Sequence, residues 1–127
     1  MSKTCAIVGA SNDRRKFGNK SLRAHAKAGY TVYPINLNPK ESEIEGHRAY
    51  HSLAEIPGKI DRITLYLPPP VLLEMIDEIA AANADEVWFN PGTDSPEVMR
   101  QAKAAGIPAI AACSIVDLGM SPADFPS

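Results

Sequence analysis

A chain of 127 residues, 45% hydrophobic and 22% charged, with a formal net charge of −2, has the composition of one soluble globule with its own core. The charge balance excludes a nucleic-acid surface built on bulk positive charge, and no apolar stretch reaches the length of a membrane span or a signal-peptide core. Two cysteines, Cys5 and Cys113, make no disulfide framework, so a cytoplasmic location and a single domain over 1–127 are expected.

Residues 4–9 (TCAIVG) are a short apolar run ended by glycine, which predicts a buried strand. Helix formers over 19–28, with Leu22 and Ala26 and then Gly29, predict a helix with its stop. Residues 31–36 (TVYPIN) are β-branched and aromatic, a second strand. The stretch 37–59 is less regular. An extended piece is expected over 49–53 and one helical turn after Ser52. A third strand over 60–67 is stopped by three prolines. Leu72, Met75, Ile76 and Ile79 then recur at helical spacing and predict an amphipathic helix over 71–83. Residues 86–89 (EVWF) are a fourth strand. Ser95 caps a helix that starts at Pro96 and ends before Gly106, and 108–112 form a fifth strand, with a helical turn from Ser114. Strands alternating with helices predict an α/β fold: a doubly wound parallel sheet of five strands, covered on both faces.

In such a sheet, ligands sit beyond the carboxyl ends of the strands. The first of these loops reads GASNDRRKFGNK. Gly9 permits a tight turn, Gly18 opens the helix, Ser11 and Asn12 offer hydrogen bonds to phosphate, and Arg14, Arg15 and Lys16 offer charge. It is neither the GxGxxG dinucleotide fingerprint nor a P-loop. The second strand ends in Asn36-Leu37-Asn38-Pro39-Lys40, with no carboxylate at the tip to hold a free ribose hydroxyl pair. That argues against NAD and for a ligand with a phosphorylated ribose, NADP or coenzyme A. The plain alternative is an Asn-Pro turn with a surface lysine. The prolines Pro68, Pro69 and Pro70 offer a rigid apolar wall suited to a base or a pantetheine arm. Asn90, Pro91 and Gly92 supply a neutral loop open to close backbone approach.

Taken in order, the segments IVGASND, VYPIN-LNP, IEGHRAYHSLAEIP, LYLPPP and AKAAGIPAIAACSIV resemble the small stand-alone coenzyme A-binding proteins. Those are similar to the N-terminal domain of the succinyl-CoA synthetase α subunit. The resemblance runs from Ala6 to Val116. It implies a Rossmann-like three-layer sandwich with coenzyme A across the strand ends. The pyrophosphate would meet Gly9, Ala10, Ser11 and Asn12, with Lys16, Phe17 and Gly18 beside it. Asn36, Asn38 and Lys40 would face the adenosine, while Pro68, Pro69, Pro70, Asn90, Pro91 and Gly92 would line the rest. Many stand-alone members carry a phenylalanine and two arginines after the third strand, where this chain has LPPP.

The synthetase draws on a phosphorylated histidine from a second domain, and no equivalent is found here. His25 reads as a surface or helix-packing residue. His47 and His51 would need further ligands to hold a metal. No tyrosine has a lysine three or four residues later, as a reductase proton donor would. The expectation is therefore a non-catalytic module that binds coenzyme A or an acyl-CoA, without nucleic-acid or membrane partners. An NADP-dependent oxidoreductase is the alternative, and a homodimer is compatible with so small a sheet.

Overall fold

The computed structural model describes residues 3–127. In chain order the elements are β1 (Thr4–Val8), α1 (Phe17–Lys27), β2 (Thr31–Ile35), a small hairpin of β3 (Glu43–Ile44) and β4 (His47–Arg48), β5 (Arg62–Leu65), α2 (Pro69–Leu73), α3 (Ile76–Ala81), β6 (Glu86–Phe89), α4 (Pro96–Ala104), β7 (Ala109–Ala111) and α5 (Ser114–Asp117). Five strands pair in parallel in the order β2-β1-β5-β6-β7. This is the predicted Rossmann-like α/β architecture.

Residue alternation explains the layers. β1 lies between β2 and β5, which pair with both its edges, and helices cover both its faces, so Cys5, Ala6, Ile7 and Val8 are all fully buried. Cys5 and Ile7 point to α1, where they meet Leu22. Ala6 and Val8 point to the opposite face, among Leu72 of α2, Ile79 of α3 and Val98 and Ala102 of α4. Each fully buried Leu or Ile contributes roughly 1.5–3 kcal/mol of transfer free energy, so this two-sided burial fixes the register of the central strand.

Several boundaries differ from expectation. The helix predicted over 71–83 is two helices. The amides of Glu74 and Met75 bond three residues back, to Val71 and Leu72, which tightens the turn and ends α2. The apolar spacing is blind to this break, because the side chains on either side of it still face the same core. β5 is paired only over Arg62–Leu65. The extended piece expected over 49–53 reduces to a single bridge between Tyr50 and Ile35, followed by a 3-10 turn at Leu53–Glu55. The β3–β4 hairpin falls in the stretch 37–59, where the sequence pattern predicts no hairpin. Ser95 caps α4 as predicted, its side chain accepting from the Val98 amide at 3.2 Å. Among the described residues, no helix is long and apolar enough to cross a membrane.

Candidate functional site

The chain leaves β1 towards β2 on one side and later returns to place β5 on the other. The loops after β1 and β5 therefore part, as at any topological switch point, and a crevice opens at the carboxyl edge of the sheet. Its volume is about 580 Å³. Its walls are Gly9, Ala10 and Ser11 after β1, Lys16, Phe17 and Gly18 at the start of α1, and Asn36 and Leu37 after β2. Tyr66, Leu67 and Pro68 after β5, and Pro91, Gly92 and Thr93 after β6, complete them.

Two glycines determine how closely α1 approaches the sheet. Gly9 has φ +97°, and a Cβ there would lie 3.0 Å from the Tyr66 carbonyl. A Cβ on Gly18 would fall 2.2 Å from the Gly9 carbonyl oxygen, a contact no side chain can make. Only glycine lets the first turn of α1 rest against the end of β1. In that turn the amides of Asn19 and Lys20 both bond to the Lys16 carbonyl at 3.2 Å. The amides of Phe17 and Gly18 find no partner among the described residues, and no side chain caps the helix. Two free donors at the positive end of an 11-residue helix, beside the Lys16 ammonium, make an anion-receptive wall.

The rest of the crevice is less polar. Among the described residues, three large apolar side chains are exposed: Phe17 at 59%, Leu37 at 48% and Val116 at 61%. The first two belong to the crevice. Through Tyr66 the wall adjoins a buried polar network that serves as its floor. Asn90, 2% exposed, donates to Thr64 Oγ1 at 2.7 Å and to the Leu65 carbonyl at 2.9 Å, and accepts from the Ser114 amide at 2.9 Å. The Ser114 hydroxyl lies 2.7 Å from Thr64 Oγ1 and 3.1 Å from the Tyr66 hydroxyl. Burial pushes the Tyr66 phenol up from its ordinary value. Its hydroxyl is engaged with Ser114.

Ten of the sixteen predicted binding residues line this crevice: Gly9, Ala10, Ser11, Lys16, Phe17, Gly18, Asn36, Pro68, Pro91 and Gly92. Six lie outside its lining. Asn12 faces the hairpin, donating to the Glu43 carbonyl at 2.8 Å and accepting from the Glu45 amide at 3.0 Å. Asn38 accepts from the Lys40 amide at 3.0 Å, a local turn beyond the β2 tip that carries Lys40 with it. Pro69 and Pro70 are already the first residues of α2. Asn90 is spent on the floor network. The basic run is also divided. Arg15 pairs with Asp13 at 2.8 Å and holds that carboxyl down to about 2, and Arg14 pairs with Glu45 at 3.3 Å. Only Lys16 of the three lines the crevice. The reading from sequence had not selected Leu37, Tyr66, Leu67 or Thr93. Tyr66 and Leu67 continue the apolar run that predicts a strand, but the ladder closes with the Tyr66 amide donating to the Val8 carbonyl at 2.8 Å, and both residues line the wall.

The amino edge of the sheet carries a second polar cluster. The Arg62 side chain, 7% exposed, pairs with Glu86 at 2.6 Å and Asp117 at 2.7 Å. Its guanidinium lies over the Trp88 ring at 4.9 Å and the Tyr30 ring at 5.4 Å. His25 is fully buried beside it. Its Nδ1 donates to the Ser21 carbonyl at 2.9 Å, leaving Nε2 to face the guanidinium at 3.4 Å. Burial and this neighbour lower the imidazole to about 4. Among the described residues, no three His, Cys, Asp or Glu side chains are grouped to share a metal.

The fold and its crevice together define a Rossmann-like α/β protein with an anion-receptive cleft at the switch point. More particularly, the chain belongs to the CoA binding domain family, whose model matches residues 3–119. It is 37% identical over 76 residues to the α subunit of ADP-forming acetate–CoA ligase II of Pyrococcus furiosus, spanning 58% of this chain but 16% of that subunit. It is 30% identical over 105 residues to the uncharacterized protein YneT of Bacillus subtilis, covering 83% of this chain and 76% of YneT. Among solved structures, a conserved hypothetical protein from Pyrococcus furiosus superposes with a TM-score of 0.81 at 35% identity, over 91% of this chain and 98% of that one. An acetyl-coenzyme A synthetase from Ca. Korarchaeum cryptofilum, in complex with phosphate and ADP, gives 0.72 at 28% identity over 87% of this chain and 25% of its own.

Proposed function

We propose that the protein binds coenzyme A or an acyl-CoA in the carboxyl-edge crevice, as a binding or regulatory module that performs no chemistry on it. The observation that carries this reading is the first turn of α1, seated on Gly9 through Gly18 with two unpartnered amides and Lys16 beside it. A pyrophosphate is the ligand group such a turn suits: it brings negative charge and several acceptors to donors that need no reorganisation. The pyrophosphate then rests on Ser11, Phe17 and Gly18. The adenosine lies towards Asn36 and Leu37, with Lys40 within its surroundings rather than in the wall. The apolar faces of Phe17 and Leu37 suit a base, and the stretch from Leu67 and Pro68 to Gly92 suits the pantetheine arm.

Support for a module without chemistry comes from the same wall. Its one phenol, Tyr66, is bonded to Ser114, and its one cation, Lys16, stands at the anion end. No observation favours the NADP oxidoreductase alternative.

Titration calorimetry with coenzyme A, acetyl-CoA and NADP in parallel tests the proposal. Saturable binding of either CoA species, at least tenfold tighter than NADP, is the expected result. Heat with NADP alone, or with none of the three, overturns it. Native mass spectrometry of freshly purified protein checks the ligand independently, through a retained mass equal to coenzyme A or an acyl form.

A further inference from the structure

The β3–β4 hairpin sits outside the crevice wall, yet three residues of the first loop and of α1 are bound to it. Asn12 grips the hairpin backbone through both ends of its amide, at 2.8 Å to the Glu43 carbonyl and 3.0 Å from the Glu45 amide. Asn19, fully buried, divides its two amide hydrogens between the Ser11 carbonyl at 2.8 Å and Glu45 Oε2 at 3.0 Å. Arg14 closes on the same carboxylate at 3.3 Å. One glutamate at the hairpin tip thus touches the loop directly through Arg14 and, through Asn19, fixes the carbonyl of Ser11 in the crevice wall.

The backbone of that glutamate is unusual. Glu45 has φ +48° and is followed by Gly46 at +81°. A two-residue turn with both φ values positive favours Asn-Gly or Gly-Gly, not Glu. Glutamate has no local hydrogen bond of its own to ease the left-handed conformation. An outlier that the surroundings hold in place points to a use for the side chain. Here the longer carboxylate reaches Asn19 and Arg14, which glycine could not.

We propose that Glu45 is a positioning residue for the anion-receptive loop, and that the hairpin is a clamp preorganising Ser11 to Lys16 for the ligand's phosphates. This rests on the proposed function for its ligand, but not for its mechanics. The clamp works from behind the wall, so removing it leaves every crevice residue present and only its order changed.

Glu45→Gly separates the two roles of this position, because it relieves the backbone while deleting the carboxylate. The expected result is a melting temperature equal to or above that of the wild type, together with about tenfold weaker binding of coenzyme A. Amide exchange at the bonded amides of this stretch, those of Asp13, Arg15, Lys16 and Asn19, should be at least tenfold faster. Glu45→Gln keeps an oxygen for Asn19 and should bind coenzyme A within threefold of the wild type. A purely structural glutamate would lower stability and leave affinity alone. Exchange that is unchanged in Glu45→Gly overturns the clamp whatever the ligand is. So does affinity within twofold of the wild type, or a Gln variant as weak as the Gly variant. A wild-type protein that ignores coenzyme A overturns the proposed function alone, and loop exchange still decides the clamp.

Discussion

The two edges of the sheet handle polar groups in opposite ways. At the amino edge, Arg62 is enclosed by Glu86, Asp117, two aromatic faces and His25, so that each strong donor meets an acceptor. At the carboxyl edge, among the described residues, two amides of α1 stand without partners, Lys16 forms no ion pair, and large apolar side chains face solvent. Buried polar groups cost free energy when unsatisfied, so a protein closes such networks where it needs only to stay folded. It leaves them open where something else is to complete them. Pockets with unspent donors are the better guide to function than the densest cluster of charge.

That contrast can be tested by attacking each edge in turn. Acid should strike the amino edge hardest. His25 titrates near 4 in the folded protein against about 6.5 when unfolded. Between those values the unfolded chain binds more protons, so stability is full above pH 6.5 and is lost as pH falls towards 4. The loss should reach about 3 kcal/mol by pH 4, by proton linkage. Urea unfolding followed against pH should show this slope in the wild type and a flatter one in His25→Gln. Next, Arg62→Ala leaves two carboxylates facing each other across a vacated site. A fully buried pair would cost ~3–5 kcal/mol, but both carboxylates are partly exposed, so about 2 kcal/mol is expected. Chemical denaturation should register it while coenzyme A affinity per folded molecule stays put.

The carboxyl edge should respond the other way. Gly18→Ala drives a methyl group into the Gly9 carbonyl, and overpacking of this kind costs ~1–3 kcal/mol. Because α1 must shift away from β1, calorimetry should also show ligand affinity falling by more than tenfold. Lys16→Ala should be the mildest. It should weaken coenzyme A by about tenfold, equivalent to about 1.4 kcal/mol, reduce the salt dependence of binding and leave the melting temperature within a degree or so. If Lys16→Ala lowered stability and Arg62→Ala lowered affinity, the division between the edges would be wrong.

Much of this was readable from residue order. The apolar runs of β1, β2 and β6, the Ser95-Pro96 start of α4 and the glycines bounding the first loop carry their structural meaning locally. The alternation of elements then forces a parallel sheet with its loops at one edge. What escaped depends on contacts between distant segments. Arg14 looked like free charge because Glu45, more than thirty positions away, neutralises it. The hairpin was invisible because each of its strands is two residues long and its turn uses glutamate where asparagine is usual. Asn90 has the chemistry of a ligand contact, but the strand partners that surround it consume its amide. Tyr66 and Leu67 continue an apolar run, and only the end of pairing at Leu65 tells strand from wall.

Asn90 has one further consequence, which concerns chemical ageing. Asparagine commonly decays to aspartate by closing a ring onto the backbone nitrogen of the following residue, and that nitrogen must carry a hydrogen. Pro91 has none. The residue that ties β5, β6 and the start of α5 together is therefore shielded from the slow reaction that would place a negative charge beneath the crevice. Asn36 in the wall, followed by Leu37, has no such shield. With time, the wall should wear before the floor does.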